Sequence, residues 1–333
     1  MTGDPPVRST GIGSWPGIDM ASAIKIAFAE CPDLPYLPEL PARGSHAQLV
    51  GRSTALLAGL FVDLQPAGWR LTDGSGRDHR LAITTLRADL DLLEELAQGF
   101  QGPLKIAVSG PWTLAASIER PRGDRLLADY GARRDVGQSL AEGIAQLVAE
   151  LRRRLPAIDY LVQLDEPSLP AVLAGSIATA SGFSRHRAVD IAEVSATLRY
   201  VIGGVAAVDD TPVAVHCCAK GVPIALLDGA GAQGIFVDLD QLGSQDWDAI
   251  ATVLEGGRWI GMGALPTDRA LTPDQVARRV VGRIRDLGLA PDVAGQLLVT
   301  PSCGLAGLSE AEALKALRTV RDAASIVAEQ LLS

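Results

Sequence analysis

Residues 159–167 read DYLVQLDEP, a short apolar run that ends in polar and acidic residues. Similar runs, rich in Val, Ile and Leu, recur along the chain and alternate with longer stretches of helical periodicity. Runs of this kind are typical of parallel strands, because both faces of such strands are covered. The predicted strands are Thr10–Trp15, Leu34–Leu40, Leu104–Ser109, Asp159–Leu164, Pro212–Cys218, Gly234–Leu239, Arg258–Met262 and Leu297–Pro301.

Amphipathic stretches between these runs predict helices, and the last of them carries a capping box formed by Ser309 and Glu312. The clearest are Asp89–Gln98, Gly137–Arg154, Ile191–Ile202 and Ser309–Leu332. Eight strand–helix units predict an α/β fold, a single (β/α)8 TIM barrel that forms one domain over residues 1–333. The alternative is an open doubly wound sheet, but no glycine-rich phosphate loop follows the first strand.

The long interval from Arg43 to Gln101 does not fit a simple strand–helix unit. It contains the turn-rich stretch GWRLTDGSGRDHR, which predicts a hairpin or an excursion on the barrel rim.

The composition of the chain excludes some classes of binding partner. The 333 residues are 47% hydrophobic and carry a net charge of −9, which argues against a nucleic-acid or anionic-membrane partner. The chain has only four cysteines and no apolar stretch of about 18 residues, and its N-terminus lacks the apolar core of a signal peptide. We expect a cytoplasmic protein with reduced thiols.

Polar residues gather where the predicted strands end, which is where barrel enzymes place their chemistry. The strand ends carry Gly13-Ser14-Trp15-Pro16, Glu39, Gly110-Pro111-Trp112-Thr113, Asp165-Glu166, His216-Cys217-Cys218, Asp238-Leu239-Asp240 and Pro301-Ser302-Cys303-Gly304. Such clustering at one end of an apolar barrel predicts a functional site.

A metal site is the first candidate. His216 and Cys218 are two residues apart on a strand, so their side chains share a face, whereas Cys217 points away. Together with Asp238 and Cys303 they offer one nitrogen, two sulfurs and one carboxylate, a plausible zinc shell. The alternative is that the cysteines are small buried hydrophobic residues. An electron-rich zinc is a poor Lewis acid but stabilises a bound thiolate, so this shell indicates a thiol substrate and an alkyl donor.

These motifs, in this order, resemble the C-terminal catalytic barrel of cobalamin-independent methionine synthase. The motifs that carry the resemblance are Thr10-Gly11-Ile12-Gly13-Ser14-Trp15-Pro16, Gly110-Pro111-Trp112-Thr113, Gln163-Leu164-Asp165-Glu166-Pro167, His216-Cys217-Cys218 and Pro301-Ser302-Cys303-Gly304-Leu305. They span nearly the whole chain. The same superfamily includes uroporphyrinogen decarboxylase and the corrinoid and coenzyme M methyltransferases.

The resemblance implies a zinc-dependent methyltransferase that converts homocysteine into methionine. It implies zinc ligands His216, Cys218 and Cys303, with an acidic ligand at Asp238, where the family has Glu, or at the alternative Asp240. The competing interpretation of such a carboxylate at a strand end is a helix N-cap. It also implies that Ser14, the Ile12 backbone and Asp165 hold the amino-acid part of homocysteine, and that Asp165 and Asp238 are catalytic. Glu39 is a weaker candidate for substrate binding, and the alternative is that it is a solvated residue on the barrel rim. Trp112 either lines the pocket or packs in the core.

One departure from the family concerns the methyl donor. The family has a His after its seventh strand that is thought to protonate the departing folate, but this chain reads Gly261-Met262-Gly263-Ala264-Leu265-Pro266-Thr267-Asp268 there. We expect the other histidines, His46, His79 and His186, to face solvent. The donor is either a methylcorrinoid protein or 5-methyltetrahydrofolate. The missing His favours a corrinoid or another alkyl donor, because a methyl group that leaves a folate nitrogen needs protonation and one that leaves a corrinoid cobalt does not. Alternative functions are methyl transfer to another thiol, such as coenzyme M, and a non-catalytic barrel.

Overall fold

The computed structural model describes residues 7–333; the first six residues of the N-terminal stretch, on which the expected lack of a signal peptide partly rests, lie outside it. The strands are β1 Arg8–Ser9, β2 Tyr36–Leu37, β3 Phe61–Gln65, β4 Gly68–Thr72, β5 Gly102–Ser109, β6 Ile158–Asp165, β7 Val213–Cys217, β8 Gly234–Asp238, β9 Trp259–Leu265 and β10 Leu297–Pro301. The α-helices are α1 Met20–Glu30, α2 Leu49–Thr54, α3 Arg77–Leu96, α4 Pro111–Ser117, α5 Tyr130–Arg154, α6 Leu169–Leu173, α7 Ile191–Ala206, α8 Ile224–Gly229, α9 Ser244–Glu255, α10 Pro273–Leu287 and α11 Glu310–Leu332.

Eight strands form one parallel sheet in the order β1-β10-β9-β8-β7-β6-β5-β2. From β2 to β10 the strands stand in chain order, and β1 lies beside the last strand. The order lacks the reversal that defines a doubly wound sheet, so that alternative is wrong. An eight-stranded parallel sheet that alternates with helices is consistent with a TIM-like barrel.

The two edge strands are connected beyond their ends. Ser14 and Glu39 form a parallel bridge, in which the Trp15 N–H donates to the Glu39 carbonyl at 2.8 Å and the Glu39 N–H donates to the Gly13 carbonyl at 3.1 Å. The bridge places the segments that follow β1 and β2 side by side at the carboxyl end of the sheet.

The first two strands are shorter than predicted. β1 covers Arg8–Ser9 rather than Thr10–Trp15, and β2 covers Tyr36–Leu37 rather than Leu34–Leu40. Pro35 and Pro38 flank β2, and neither can donate to a strand ladder. Past β1, Tyr36 lies so close to Gly11 that a Cβ there would come within 2.5 Å of its ring. That close approach explains why glycine occupies position 11.

The other six predicted strands agree with the structure within three residues, but two helices begin earlier than predicted: α3 begins at Arg77 rather than Asp89, and α5 begins at Tyr130 rather than Gly137. The turn-rich stretch after Arg43 contains an antiparallel hairpin, in which β3 pairs with β4. The last helix begins after Ser309, whose side chain accepts from the Glu312 N–H while the Glu312 carboxylate accepts from the Ser309 N–H. No helix in residues 7–333 is both long and apolar enough to cross a bilayer.

The prediction that three histidines face solvent is wrong for two of them. His79 is 3% exposed, and its Nε2 lies 3.1 Å from the Thr54 carbonyl. His186 is 7% exposed, and its Nε2 lies 3.0 Å from Asp124 Oδ1. His46 is half-buried. Tertiary contacts with residues distant in sequence cover the two imidazoles, and no local pattern indicated them.

Glu166 fastens the start of α4 to the end of β6. Its fully buried carboxylate accepts from the Trp112 N–H at 2.8 Å, and from the N–H and hydroxyl of Thr113, each at 2.7 Å. These are N–H groups of the first helical turn, which have no partner within the helix. Gly110 leaves the necessary room, because a Cβ there would lie 2.4 Å from the carboxylate.

We expect Glu166→Ala to lower the free energy of unfolding by at least about 2 kcal/mol, because it leaves several buried donors without an acceptor. Urea titration followed by circular dichroism measures the change. Glu142→Ala, which removes an exposed carboxylate on α5, is the control and should change stability by no more than about 0.5 kcal/mol. Equal stability of both variants would show that the Glu166 contacts contribute nothing.

Candidate active site

The carboxyl ends of three neighbouring strands align at one level of the sheet. Ser109 of β5 lies opposite Asp165 of β6, and Asp165 lies opposite His216 of β7. Because parallel strands end at the same edge, this register brings together residues that are far apart in sequence. The predicted gathering of polar side chains at this end therefore exists in the fold.

Asp165 and His216 form a buried hydrogen-bonded pair. The His216 Nδ1 lies 2.8 Å from Asp165 Oδ1, and the same oxygen accepts from Gln163 Nε2 at 2.8 Å. Both side chains are less than 10% exposed. A carboxylate on Nδ1 keeps that nitrogen protonated and leaves the lone pair on Nε2. The Nε2 atom is buried and has no hydrogen-bond partner within residues 7–333.

The two predicted thiol ligands are in contact. Cys218 Sγ lies 3.4 Å from Cys303 Sγ, although the residues are 85 positions apart. With Cys218 as the donor, this contact lowers the pKa of Cys303, and nearby His216 acts in the same direction, whereas burial opposes the shift. Cys217 is fully buried on the opposite face, and burial raises its pKa to about 12. Strand alternation thus separates the two adjacent cysteines as predicted.

Neither acidic candidate is joined to the thiols. Asp238 Oδ1 accepts from the Asp240 N–H at 2.9 Å, so Asp238 caps the short 3₁₀-helix Leu239–Gln241. Asp240 forms ion pairs with Arg269, at 2.7 Å, and with Arg279. Within the part of the chain that the structure describes, no three His, Cys, Asp or Glu side chains stand together as a preformed metal site. The features that suit a metal are the thiol pair and the unpartnered His216 Nε2.

Ser14 and Glu39 lie beside each other through the bridge between their backbones. The Ser14 Oγ accepts from the Ala306 N–H at 3.4 Å, and the Ser14 carbonyl accepts from the Leu305 N–H at 2.9 Å. Ser14 therefore packs against the segment that follows Cys303. A Cβ on Gly304 would lie 2.0 Å from the Ser14 hydroxyl, so this packing requires glycine.

Glu39 is buried rather than solvated. Arg52 Nη1 donates to Glu39 Oε1 at 3.3 Å and to the Ala107 carbonyl at 3.0 Å. Burial raises the pKa of Glu39 to about 7, although Arg52 opposes the shift. The negative charge of Asp165 also raises the pKa of Glu39. Glu39 thus belongs to the buried end of the sheet and not to its rim.

Two predicted substrate-binding residues also form hydrogen bonds within the protein. The Ile12 carbonyl accepts from Lys105 Nζ at 2.8 Å and from Gln163 Nε2 at 2.9 Å. The indole of Trp112 is 1% exposed and donates from Nε1 to the Val194 carbonyl at 3.4 Å. Of the two alternatives for Trp112, pocket lining and core packing, its surroundings in this structure agree with core packing.

Sequence reasoning missed Lys105. This residue lies within β5 and is fully buried, and burial lowers its pKa to about 7. The signal was present, since Lys105 is the only charged residue in the apolar stretch LKIAVS. A lysine is almost never fully buried unless its charge is paired, so its presence inside a buried strand indicates a specific role. Arg52, on α2, was also missed, and no comparable pattern marks it.

Comparison with known proteins supports the resemblance. A family model described as the catalytic domain of cobalamin-independent synthase matches residues 118–326. No curated protein sequence matches the chain. A B12-independent methionine synthase from Shewanella sp. W3-18-1, solved in complex with selenomethionine, is 15% identical, with a TM-score of 0.64 over 98% of this chain and 99% of that chain. A β-mannanase from the blue mussel Mytilus edulis is 10% identical, with a TM-score of 0.47 over 95% and 92% of the chains.

At 15% identity the Shewanella structure shows the fold alone. The family match is different, because it covers more than half of the 333 residues and includes His216, Cys218 and Cys303. The predicted resemblance is confirmed: the chain belongs to the family of catalytic domains of cobalamin-independent methionine synthases.

Proposed function

We propose that this protein is a zinc-dependent methyltransferase that methylates the thiol of homocysteine to give methionine. The observation that carries the proposal is the buried Asp165–His216 pair: the unpartnered Nε2 belongs to a residue two positions before Cys218 at the end of β7, and the Cys218 thiol contacts that of Cys303, which follows β10. We propose further that the bridge between Ser14 and Glu39 closes the sheet into a single-domain (β/α)8 barrel.

The zinc ligands in this proposal are His216, Cys218 and Cys303. Zinc held by these residues would supply the positive charge that keeps a substrate thiol deprotonated. The donor set fits, since two thiols and an imidazole nitrogen are preferred zinc ligands. Asp165 supports His216 from its other nitrogen, as a carboxylate partner commonly does for a metal-binding histidine. Asp238 is the proposed fourth ligand, through the carboxylate oxygen that does not cap the 3₁₀-helix.

The amino-acid part of homocysteine needs a carboxylate for its ammonium and donors for its carboxylate. Both protein hydrogen bonds to Asp165 fall on Oδ1, which leaves Oδ2 for an ammonium. Glu39 supplies a second carboxylate nearby, and Arg52 neutralises part of its charge. The Ser14 hydroxyl is a donor for the substrate carboxylate. In the reaction, the sulfur lone pair forms the new S–C bond, and the donor leaves with the electron pair of the bond that breaks.

The methyl donor in this proposal is a small molecule. A corrinoid protein, which the missing histidine after β9 suggested, is not supported, because the matching family is a cobalamin-independent one. Assays with homocysteine and either 5-methyltetrahydrofolate or methylcobalamin, analysed for methionine, test the donor directly. Turnover of coenzyme M instead of homocysteine would favour the related thiol transferase, and no turnover with any donor would favour a non-catalytic barrel.

The metal assignment predicts that purified protein contains about one zinc per chain and that Cys218→Ser loses most of it. Cys217→Ser is the matched control, because it changes the adjacent cysteine on the opposite face of β7. Zinc quantified by mass spectrometry, together with far-UV circular dichroism to confirm folding, measures the difference. Full zinc retention in Cys218→Ser would falsify the ligand assignment.

The substrate assignment predicts that Asp165→Asn weakens homocysteine and methionine binding. Asn can keep both hydrogen bonds through its carbonyl oxygen, but it removes the charge that pairs with the ammonium. Removal of one partner of a buried ion pair costs on the order of 2–5 kcal/mol, so we expect a loss of at least about tenfold in affinity. Calorimetric titration at saturating zinc measures it.

Ser14→Ala is the comparison variant for this titration and should weaken binding less, because backbone donors remain. Equal affinities of wild type and Asp165→Asn would show that Asp165 serves His216 alone. If wild type binds neither amino acid, the proposed substrate is wrong.

A further inference from the structure

Lys105 places an ammonium group in the interior of the sheet, where none of the proposed chemistry requires one. Its side chain is fully buried, with Nζ 5.6 Å from the ring centre of Tyr36 and 5.4 Å from that of Phe236. An ammonium costs several kcal/mol to bury unless it is paired and hydrogen-bonded. Met or Leu would fill this space without that cost, so the charge calls for another explanation.

All three donors of the ammonium have partners. Lys105 Nζ donates to the Gly11 carbonyl at 2.6 Å, to the Ile12 carbonyl at 2.8 Å and to Gln163 Oε1. The two carbonyls lie just before Gly13 and Ser14, in the segment that forms the bridge with Glu39. Lys105 thus holds, by two hydrogen bonds, the segment that carries Ser14, the proposed donor to the substrate carboxylate.

Gln163 carries the connection to the other side of the site. Its Oε1 accepts from Lys105, while its Nε2 donates to the Ile12 carbonyl at 2.9 Å and to Asp165 Oδ1 at 2.8 Å. The Lys105 donor settles which end of the amide is the oxygen, and therefore which end faces Asp165. The orientation of the amide then supplies a fixed donor to the carboxylate.

We propose that Lys105 is a positioning residue for amino-acid recognition in the proposed thiol site. Through Gln163 it orients the Asp165 carboxylate toward the substrate ammonium, and through Gly11 and Ile12 it holds the segment that carries Ser14. This inference rests on the proposed function. Lys105 itself touches neither the substrate nor the proposed metal ligands.

Lys105→Met tests the role, because it keeps an unbranched side chain and removes the charge and the donors. The readout is the affinity ratio between homocysteine and mercaptobutyrate, which is homocysteine without its ammonium group. Wild type should prefer homocysteine by about tenfold or more, and the variant should reduce this preference to about threefold or less. Zinc content should stay near that of wild type.

Tyr160→Phe is the control for a purely structural effect. Its hydroxyl donates to the Leu151 and Leu155 carbonyls, also from a buried position on the same sheet but outside the site, so it should lower stability and leave the affinity ratio unchanged. If Lys105→Met does not fold, Gln163→Glu provides the same readout. Glu can still accept from Lys105 but cannot donate to Asp165, so the preference for homocysteine should fall as well.

The outcomes separate this inference from the function on which it rests. A wild type that binds neither thiol overturns the proposed function and the role of Lys105 with it. A wild type that prefers homocysteine, together with a folded Lys105→Met or Gln163→Glu that keeps the full preference, overturns the inference about Lys105 alone.

Discussion

The hydrogen bonds to Asp165 Oδ1 are the interactions on which the rest of the site depends. They link β6 to β7 through His216 and, through Gln163, to the segment that follows β1. All of these groups are buried, where a hydrogen bond is stronger than in water and an unmade one is costly. The imidazole and the carboxylate are therefore oriented before any ligand binds, which is the condition for a preorganised site.

Two adjacent carboxylates have different roles because side chains alternate along a strand. Asp165 projects toward His216 at the carboxyl end of the sheet, whereas Glu166 turns to the first turn of α4. In the motif Asp165-Glu166-Pro167, the first residue thus orients His216 in the candidate site, and the second fixes the start of α4. Both roles come from one strand end, which ties the placement of α4 to the geometry of the site.

Charges inside this fold are matched by partners rather than avoided. Arg52 pairs with Glu39 at 3.3 Å, and Lys105 is bound by three oxygen atoms with Asp165 nearby. Apolar residues of similar volume in these positions would often give an equally stable or more stable fold, because they avoid the desolvation of charged groups. Among the buried charges, Glu39 and Asp165 lie at the carboxyl end of the sheet, which is where a zwitterionic amino acid would need them.

The sequence by itself determined the order of strands and helices and the chemical types at the strand ends, because hydrophobic periodicity and strand alternation act over a few residues. These local rules placed His216 and Cys218 on one face and Cys217 on the other. They also overextended the first two strands, since proline spacing and the close approach of Tyr36 decide where pairing stops.

Tertiary structure alone decided the pairing of Asp165 with His216, 51 positions apart, and of Cys218 with Cys303, 85 positions apart. It also decided which carbonyl oxygens bind Lys105, and that His79 and His186 are covered. Such contacts depend on which surfaces the packed helices and strands bring together, and a local pattern carries no record of its distant partner.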